Sequence, residues 1–382
     1  MREIFPINLR EMNTNSFNNL KNQLNAPRIP ALDAVRTFAV SLVLFYHFGF
    51  EAVPAGQGVM MFFVLSGFLI TWLLLKENES TGTVALLDFY RRRTLRIFPA
   101  FYVYWTLCVS LLWLSGKTVP WTHAWSSFFY VGNYYSSLHH HSESAFSHTW
   151  SLAIEEQFYL LWPLLFIFWR KNLAGLKRGL IALIGAIWIY RAALCLIFNV
   201  DESYIYSAFE TRVDHLLIGC LVAVLLRQGT GALLWEKAIA HPVMPLMTAA
   251  LLLLSNYFGM SHMNRYRDVI GFIVSPLLLA LLMVQLIGVS DSKWWRWTSG
   301  RIFLFLGKIS YPLYLYQQVS LFEVKKVLSH FPEFLQAIGG FGITVVLATF
   351  SYYLVERPFL KLKERKTKRI DAVLAKVTEK AA

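Results

Sequence analysis

Residues 56–75 read GQGVMMFFVLSGFLITWLLL, twenty consecutive positions without a charged side chain. A helix needs about 20 mostly apolar residues to cross the ~30 Å hydrocarbon core of a bilayer, and its backbone must bond internally while it does so. Comparable apolar blocks recur outward from this one, at roughly 33–50, 98–115, 150–169, 180–198, 213–227, 242–259, 269–288, 303–322 and 337–355. Composition agrees: 56% of the 382 residues are hydrophobic and 15% charged, where soluble domains carry about 25% charged residues. The mean hydropathy is +0.46. The sequence therefore predicts an all-α fold, a polytopic membrane bundle of about ten transmembrane helices. One membrane domain is expected over 31–360, between a polar N-terminal segment, 1–30, and a basic tail, 361–382. The polar segment has no apolar signal-peptide core, so the first block is expected to be an uncleaved anchor. No short-period repeat is evident.

The net charge of +13 raises nucleic acid as a partner, but its placement excludes that class. The basic residues sit beside the ends of apolar blocks, which is the positive-inside pattern. One set of loops holds Lys76, Arg91, Arg92, Arg93, Arg96, Arg170, Lys171, Lys177, Arg178 and the lysine-rich tail; the other holds far fewer basic residues. Both termini are expected to be cytoplasmic. The long outer loop, about 116–149, is rich in aromatics and is expected to lie at the interface or fold back into the protein. Cys108, Cys195 and Cys220 lie in or beside apolar blocks and form no disulfide framework or metal spacing. The histidines His139, His140, His141 and His148 lack a matching carboxylate or cysteine pattern, so no metal site is expected.

Ionisable residues inside a span are costly and are candidates for function. The first span, LDAVRTFAVSLVLFYHF, carries Asp33, Arg36 and His47. Eleven residues are close to three helical turns, so Arg36 and His47 share a face about 16 Å apart, and Asp33 shares it too. Gly56, Gly58, Ser66 and Gly67 in the second span are small residues, read mainly as packing. The inner loop LLDFYRRRTLRIFPA concentrates Arg91, Arg92, Arg93 and Arg96, whose guanidinium forks suit phosphate oxygens. The fourth span opens HTWSLAIEEQFYLLWPLL; Glu155 and Tyr159, four apart, share one face. Glu155 is expected at a depth comparable to that of His47. Weaker signals are Arg212, Asp214 and His215 at the start of the sixth span, and Lys308, Ser310, Tyr311, Tyr314 and Gln317 in the ninth.

These segments resemble the acyltransferase family 3 of integral membrane proteins, which O-acylate bacterial surface glycans and related sugars. LDAVRTFAVSLVLFYH matches the family's Arg-x10-His span, with Arg36 and His47 in place. GVMMFFVLSGFLIT matches its second-span motif and FYRRRTLRIFPA its basic inner loop. WSLAIEEQFYLLWP matches Ser-Leu-x-x-Glu-x-x-Phe-Tyr, with Glu155 in the acidic position. The resemblance covers roughly 31–360. Two departures stand out: many members have a His where this chain has Gln317 or Gln318, and no further periplasmic hydrolase-like domain is expected after the tenth span.

The resemblance implies an integral membrane O-acyltransferase of the bacterial inner membrane. It implies acetyl-CoA or another acyl-CoA as donor substrate, no permanently bound cofactor, and a hydroxyl of a glycan or glycolipid as acceptor. Membrane lipids are the other expected partner, and a homo-oligomer stays open. His47, Glu155 and Arg36 would be catalytic, His47 as general base or acyl carrier. Arg91, Arg92, Arg93 and Arg96 would hold the CoA phosphates, and Asp33, Ser66, Ser151, Tyr159 and Tyr311 would support substrate or structure. A secondary transporter is the alternative from another class, since buried Arg, His and Glu also serve proton relays; the lack of an internal repeat speaks against it.

Overall fold

The computed structural model describes residues 9–26, 28–140, 144–261, 264–327 and 330–362, and among them every regular element is helical. In chain order these are α1 (Leu9–Asn25), α2 (Pro30–His47), α3 (Ala55–Thr81), α4 (Leu86–Leu114), α5 (Trp121–Phe128), α6 (Gly132–Leu138), α7 (Trp150–Trp169), α8 (Leu173–Leu196) and α9 (Glu202–Ser207). They continue with α10 (Phe209–Gln228), α11 (Ala232–Ile239), α12 (Met244–Ser261), α13 (Asn264–Tyr266), α14 (Phe272–Gly288), α15 (Arg301–Lys308), α16 (Ser310–Val327) and α17 (Glu333–Ser351).

The charge-free stretch at 56–75 is the body of α3. Of its apolar window 78% is buried, against 28% for the windows of Leu86–Leu114, Leu173–Leu196 and Glu333–Leu362, so α3 is central and the other three are peripheral. Its glycines explain the placement. A methyl group added at Gly67 would collide with the Leu216 carbonyl, and one at Gly219 with the Val64 carbonyl. The backbones of α3 and α10 therefore meet directly, as small residues permit between membrane helices. Gly58 does the same for α3 against Ala39 of α2.

Polarity is inverted relative to a soluble bundle. Leu160, Leu164 and Phe168 on α7, Ile189 on α8 and Leu253 and Leu254 on α12 are exposed, whereas Arg191, Arg212, Asp214 and His215 are fully buried. Arg191 Nη1 lies 2.9 Å from Asp214 Oδ2 and donates to the Thr211 carbonyl at 2.7 Å. An apolar exterior of this extent is the surface a lipid phase covers.

Among the described residues, six helices are long and apolar enough to cross a membrane, and eight if the bent pairs Phe17–Asn25 with Pro30–His47 and Glu202–Gln228 with Ala232–Ile239 each count as one. The other two expected spans correspond to the shorter apolar helix Met244–Gly259 and to α15 and α16, which are separated at Ile309. Pro312 accounts for that break, because its ring clashes with the carbonyl four residues earlier, at Lys308, and it has no N–H to donate. The basic inner loop differs from expectation as well. It is no loop: residues 86–114 form one 29-residue helix, because nothing in RRRTLRIF interrupts helical bonding. The first span also ends earlier than expected, at His47, where Phe48 caps the helix and Gly49 turns the chain at φ +104°.

The aromatic loop at 116–149 folds back onto the bundle. Trp105 Nε1 donates to the Ala124 carbonyl at 2.8 Å, Tyr104 OH to the Ala145 carbonyl at 2.6 Å, and Gln157 Nε2 to the Tyr130 carbonyl at 2.9 Å. The loop thus packs over the end of the bundle at which α7 begins.

Candidate active site

A cavity of about 610 Å³ runs alongside α3, lined from Val59 at one end of the helix to Ser80 at the other, with walls from α2, α4, α7 and α16. Its lining changes character along its length.

One end is cationic. Arg92, Arg93 and Arg96 of α4, Lys76 of α3 and Arg36 of α2 line it, and among the described residues the acidic ones that line the cavity are Glu77 and Glu155. Three of the four expected arginines converge here. Arg91 does not line the cavity, since at about 100° per residue it projects away from the face that Arg92 and Arg96 share. Arg92 Nη2 pairs with Glu77 Oε2 at 3.2 Å. The Arg93 guanidinium lies over the Tyr159 ring, 5.0 Å from its centroid. Arg36 Nη1 is 2.8 Å from Asp33 Oδ1, and Arg28 holds the other oxygen of the same carboxylate at 2.8 Å. Asp33 thus orients Arg36 from behind without lining the cavity itself.

The middle is a hydrogen-bonded cluster. Ser66 Oγ donates to Glu155 Oε1 at 3.0 Å, and Tyr159 OH lies 2.9 Å from Ser66 Oγ and 3.3 Å from Glu155 Oε2. The single phenolic proton can serve one of those acceptors at a time. The four-residue spacing of Glu155 and Tyr159 puts both on the α7 face turned toward α3. Ser66, read from the sequence mainly as a packing residue, is their polar partner. Tyr311 OH donates to the Ile97 carbonyl at 3.0 Å and ties α16 to α4.

The far end closes on Ser151 and Tyr314, whose hydroxyl oxygens are 2.6 Å apart. Both reach the His148 carbonyl, Tyr314 at 2.9 Å and Ser151 at 3.3 Å. Phe62 and Phe63 complete this apolar end.

His47 stands apart from the cluster. It is the last residue of α2, half-buried, and it does not line the cavity. It shares a helical face with Arg36, but no contact joins it to Glu155. Sequence reasoning also undervalued His148, grouped there with the loop histidines. His139 and His140 are exposed, whereas His148 is buried in the 3-10 turn Ser147–Thr149; His141 lies outside the described residues. Its position three residues before Ser151 was the available signal.

An acyltransferase domain family matches residues 29–353 of this chain. The chain belongs to that family. Among relatives, the peptidoglycan O-acetyltransferase OatA of Listeria monocytogenes is 30% identical over 365 residues, covering 87% of this chain and 56% of the relative. The O-acetyltransferase OatA of Staphylococcus aureus is 28% identical over 371 residues, covering 92% and 60%. The chain thus spans less than two thirds of the length of either relative. No solved structure matches it.

Proposed function

We propose that this protein is a multi-pass O-acyltransferase that takes an acyl group, most simply acetyl, from cytoplasmic acyl-CoA and delivers it to a glycan hydroxyl on the other side of the membrane. The observation that carries this reading is the graded cavity. Arginines and a lysine surround one end, a Glu155–Ser66–Tyr159 cluster occupies the middle, and a largely apolar end follows. A CoA ester has the same polarity along its length: several phosphate charges, a long neutral arm and a small reactive group. Planar guanidiniums suit phosphate oxygens bidentately, and 610 Å³ falls within the usual range for small-molecule sites, about 300–1,000 Å³. The names of the relatives add that such chains act in O-acetylation, in one case of peptidoglycan.

In this reading Arg36, Arg92, Arg93 and Arg96 hold the donor phosphates. Glu155, bonded by Ser66 and Tyr159, offers a fixed carboxylate to the arm or to a protonated partner. His47 removes the acceptor proton or carries the acyl group, and α2 spaces it about 16 Å from Arg36. The arrangement proposed for the membrane is ten spans with both termini cytoplasmic, within the bacterial plasma membrane. The basic end of the cavity then faces the cytoplasm, where acyl-CoA is made.

The test is acetyl-CoA consumption by membranes that contain the protein. Release of CoA thiol above that of control membranes is expected, with label recovered as ester in a glycan fraction. No release by well-inserted protein would reject the reading in favour of transport, since a transporter leaves the thioester intact.

A further inference from the structure

The cavity ends at Ser151 and Tyr314, and His47 lies outside it. Something must connect the place where a thioester would sit with the histidine expected to act on the acceptor. His148 stands beside that closed end, although it does not line the cavity. Both hydroxyls of the closed end lie within reach of its backbone carbonyl, Tyr314 at 2.9 Å and Ser151 at 3.3 Å, and one of them donates to it while the other bonds its neighbour. Its ring is wedged between Tyr104 and Tyr314, with centroids 5.5 Å away on each side. Besides those two tyrosines, His47 and His123 lie near enough to act on the ring electrostatically.

The packing alone does not explain a histidine here. The residue is 6% exposed, and neither ring nitrogen has a hydrogen-bond partner among the described residues. The Leu315 backbone approaches the ring without reaching hydrogen-bond geometry. Buried polar atoms are normally paired, and a structural histidine is normally anchored through one nitrogen, which fixes its tautomer. A phenylalanine or leucine would fill an aromatic slot without two unsatisfied nitrogens. The two free nitrogens of His148 are instead available to pass a proton in either direction.

We propose that His148 is a relay residue of the transfer step, moving a proton between His47 and the thiol end of the donor. The proposal rests on the acyl-transfer reading above. As the acceptor hydroxyl oxygen bonds to the thioester carbonyl carbon, its proton passes through His148 to His47, and it returns by the same path. The carbon–sulfur bond breaks and its electron pair leaves with the sulfur. The proton then passes from His47 through His148 to that sulfur, which departs as the thiol. Hydroxyl and thioester become ester and thiol, and no other reactant is needed. Transfer over such a chain requires hydrogen-bond reach or a bridging water at each step, which the polar atoms of Ser151 and Tyr314 and the two free nitrogens can support.

The experiment uses the full chain in membrane vesicles, acetyl-CoA as donor, and CoA thiol release as readout, with His148→Ala, His148→Gln and His148→Phe compared with wild type and His47→Ala. All three His148 variants should lose about 10²–10³-fold in kcat, a loss within the range for a removed proton-transfer group. The KM for acetyl-CoA should stay within about twofold, because the donor phosphates are bound at the other end. Added imidazole should restore His148→Ala, whose slot is vacant, and leave His148→Phe unchanged, whose slot is filled. A phenylalanine variant with wild-type kcat would make the ring a packing wedge and overturn the relay, as would a His148→Ala variant that imidazole does not rescue. Should His148→Ala fail to insert, the Gln and Phe variants decide by the same kcat criterion. An inactive wild type would overturn the acyl-transfer reading itself, and an active wild type with active variants only the relay.

Discussion

Glu155 and Glu156 are neighbours in sequence, and a helix sends them about 100° apart. Glu155 faces the cavity and receives the Ser66 hydroxyl. Glu156 does not line the cavity, and its Oε1 is buried without a hydrogen-bond partner among the described residues. Glu155→Gln keeps one acceptor oxygen for Ser66, so it should lose about tenfold in kcat/KM; Glu155→Ala removes both oxygens and should lose at least a further tenfold, in line with ~1.5–3 kcal/mol for a hydrogen bond to a charged group. Equal losses in CoA-release kinetics would show that the charge matters and the bonding does not. Legibility differs residue by residue here. Glu155 and Tyr159 were readable because their partnership is local, four residues along one helix. Ser66 was named only as support, and its bond to Glu155 was not readable, because that partner lies 89 residues away and a serine among glycines looks like a packing residue. His148 was hidden for a related reason: its burial is created by Tyr104 and Tyr314, from two distant helices.

The elements carry predictions of a different kind. α3 and α10 meet through glycine on both sides, so Gly67→Val should force them apart and destabilise the protein by about 1–3 kcal/mol, as overpacking does. Gly185 of α8 has open space where a Cβ would point, so Gly185→Ala should keep stability or raise it by up to about 1 kcal/mol. Thermal unfolding in detergent separates the two cases, and equal behaviour would contradict the close contact. In α4, replacing Arg92, Arg93 and Arg96 by lysine should weaken donor binding by roughly tenfold, since an ammonium lacks the planar fork. Arg91→Lys should have little effect, and acetyl-CoA binding to well-inserted variants checks both. The sequence identified this arginine cluster as a group. Which three share a face followed only once 86–114 proved to be one continuous helix, since in a loop all four would have been free to converge.

At the scale of the whole molecule, the apolar blocks made an all-helical membrane bundle readable, because twenty uncharged residues in a row have few other homes. The number of crossings was harder to read. A span interrupted by Pro312, a short apolar helix at Met244–Gly259 and two sharply bent pairs look alike in hydropathy, and only packing distinguishes them. The ten-span arrangement predicts that a reporter fused at residue 130 lies outside and one at the C-terminus lies inside; finding both on one side would reject it. It also places His47 and Arg36 toward opposite faces of the membrane, which is what transfer across it requires. His47→Ala should therefore insert normally and lose about 10²–10⁴-fold in transfer, the usual effect of removing a general base. The most direct measurement is mass spectrometry of surface glycans from cells with the wild-type gene, without it, and with the His47→Ala allele. An added acyl ester is expected in the first and absent from the other two. Glycans that are identical in all three, with the protein present in the membrane, would contradict acyl transfer.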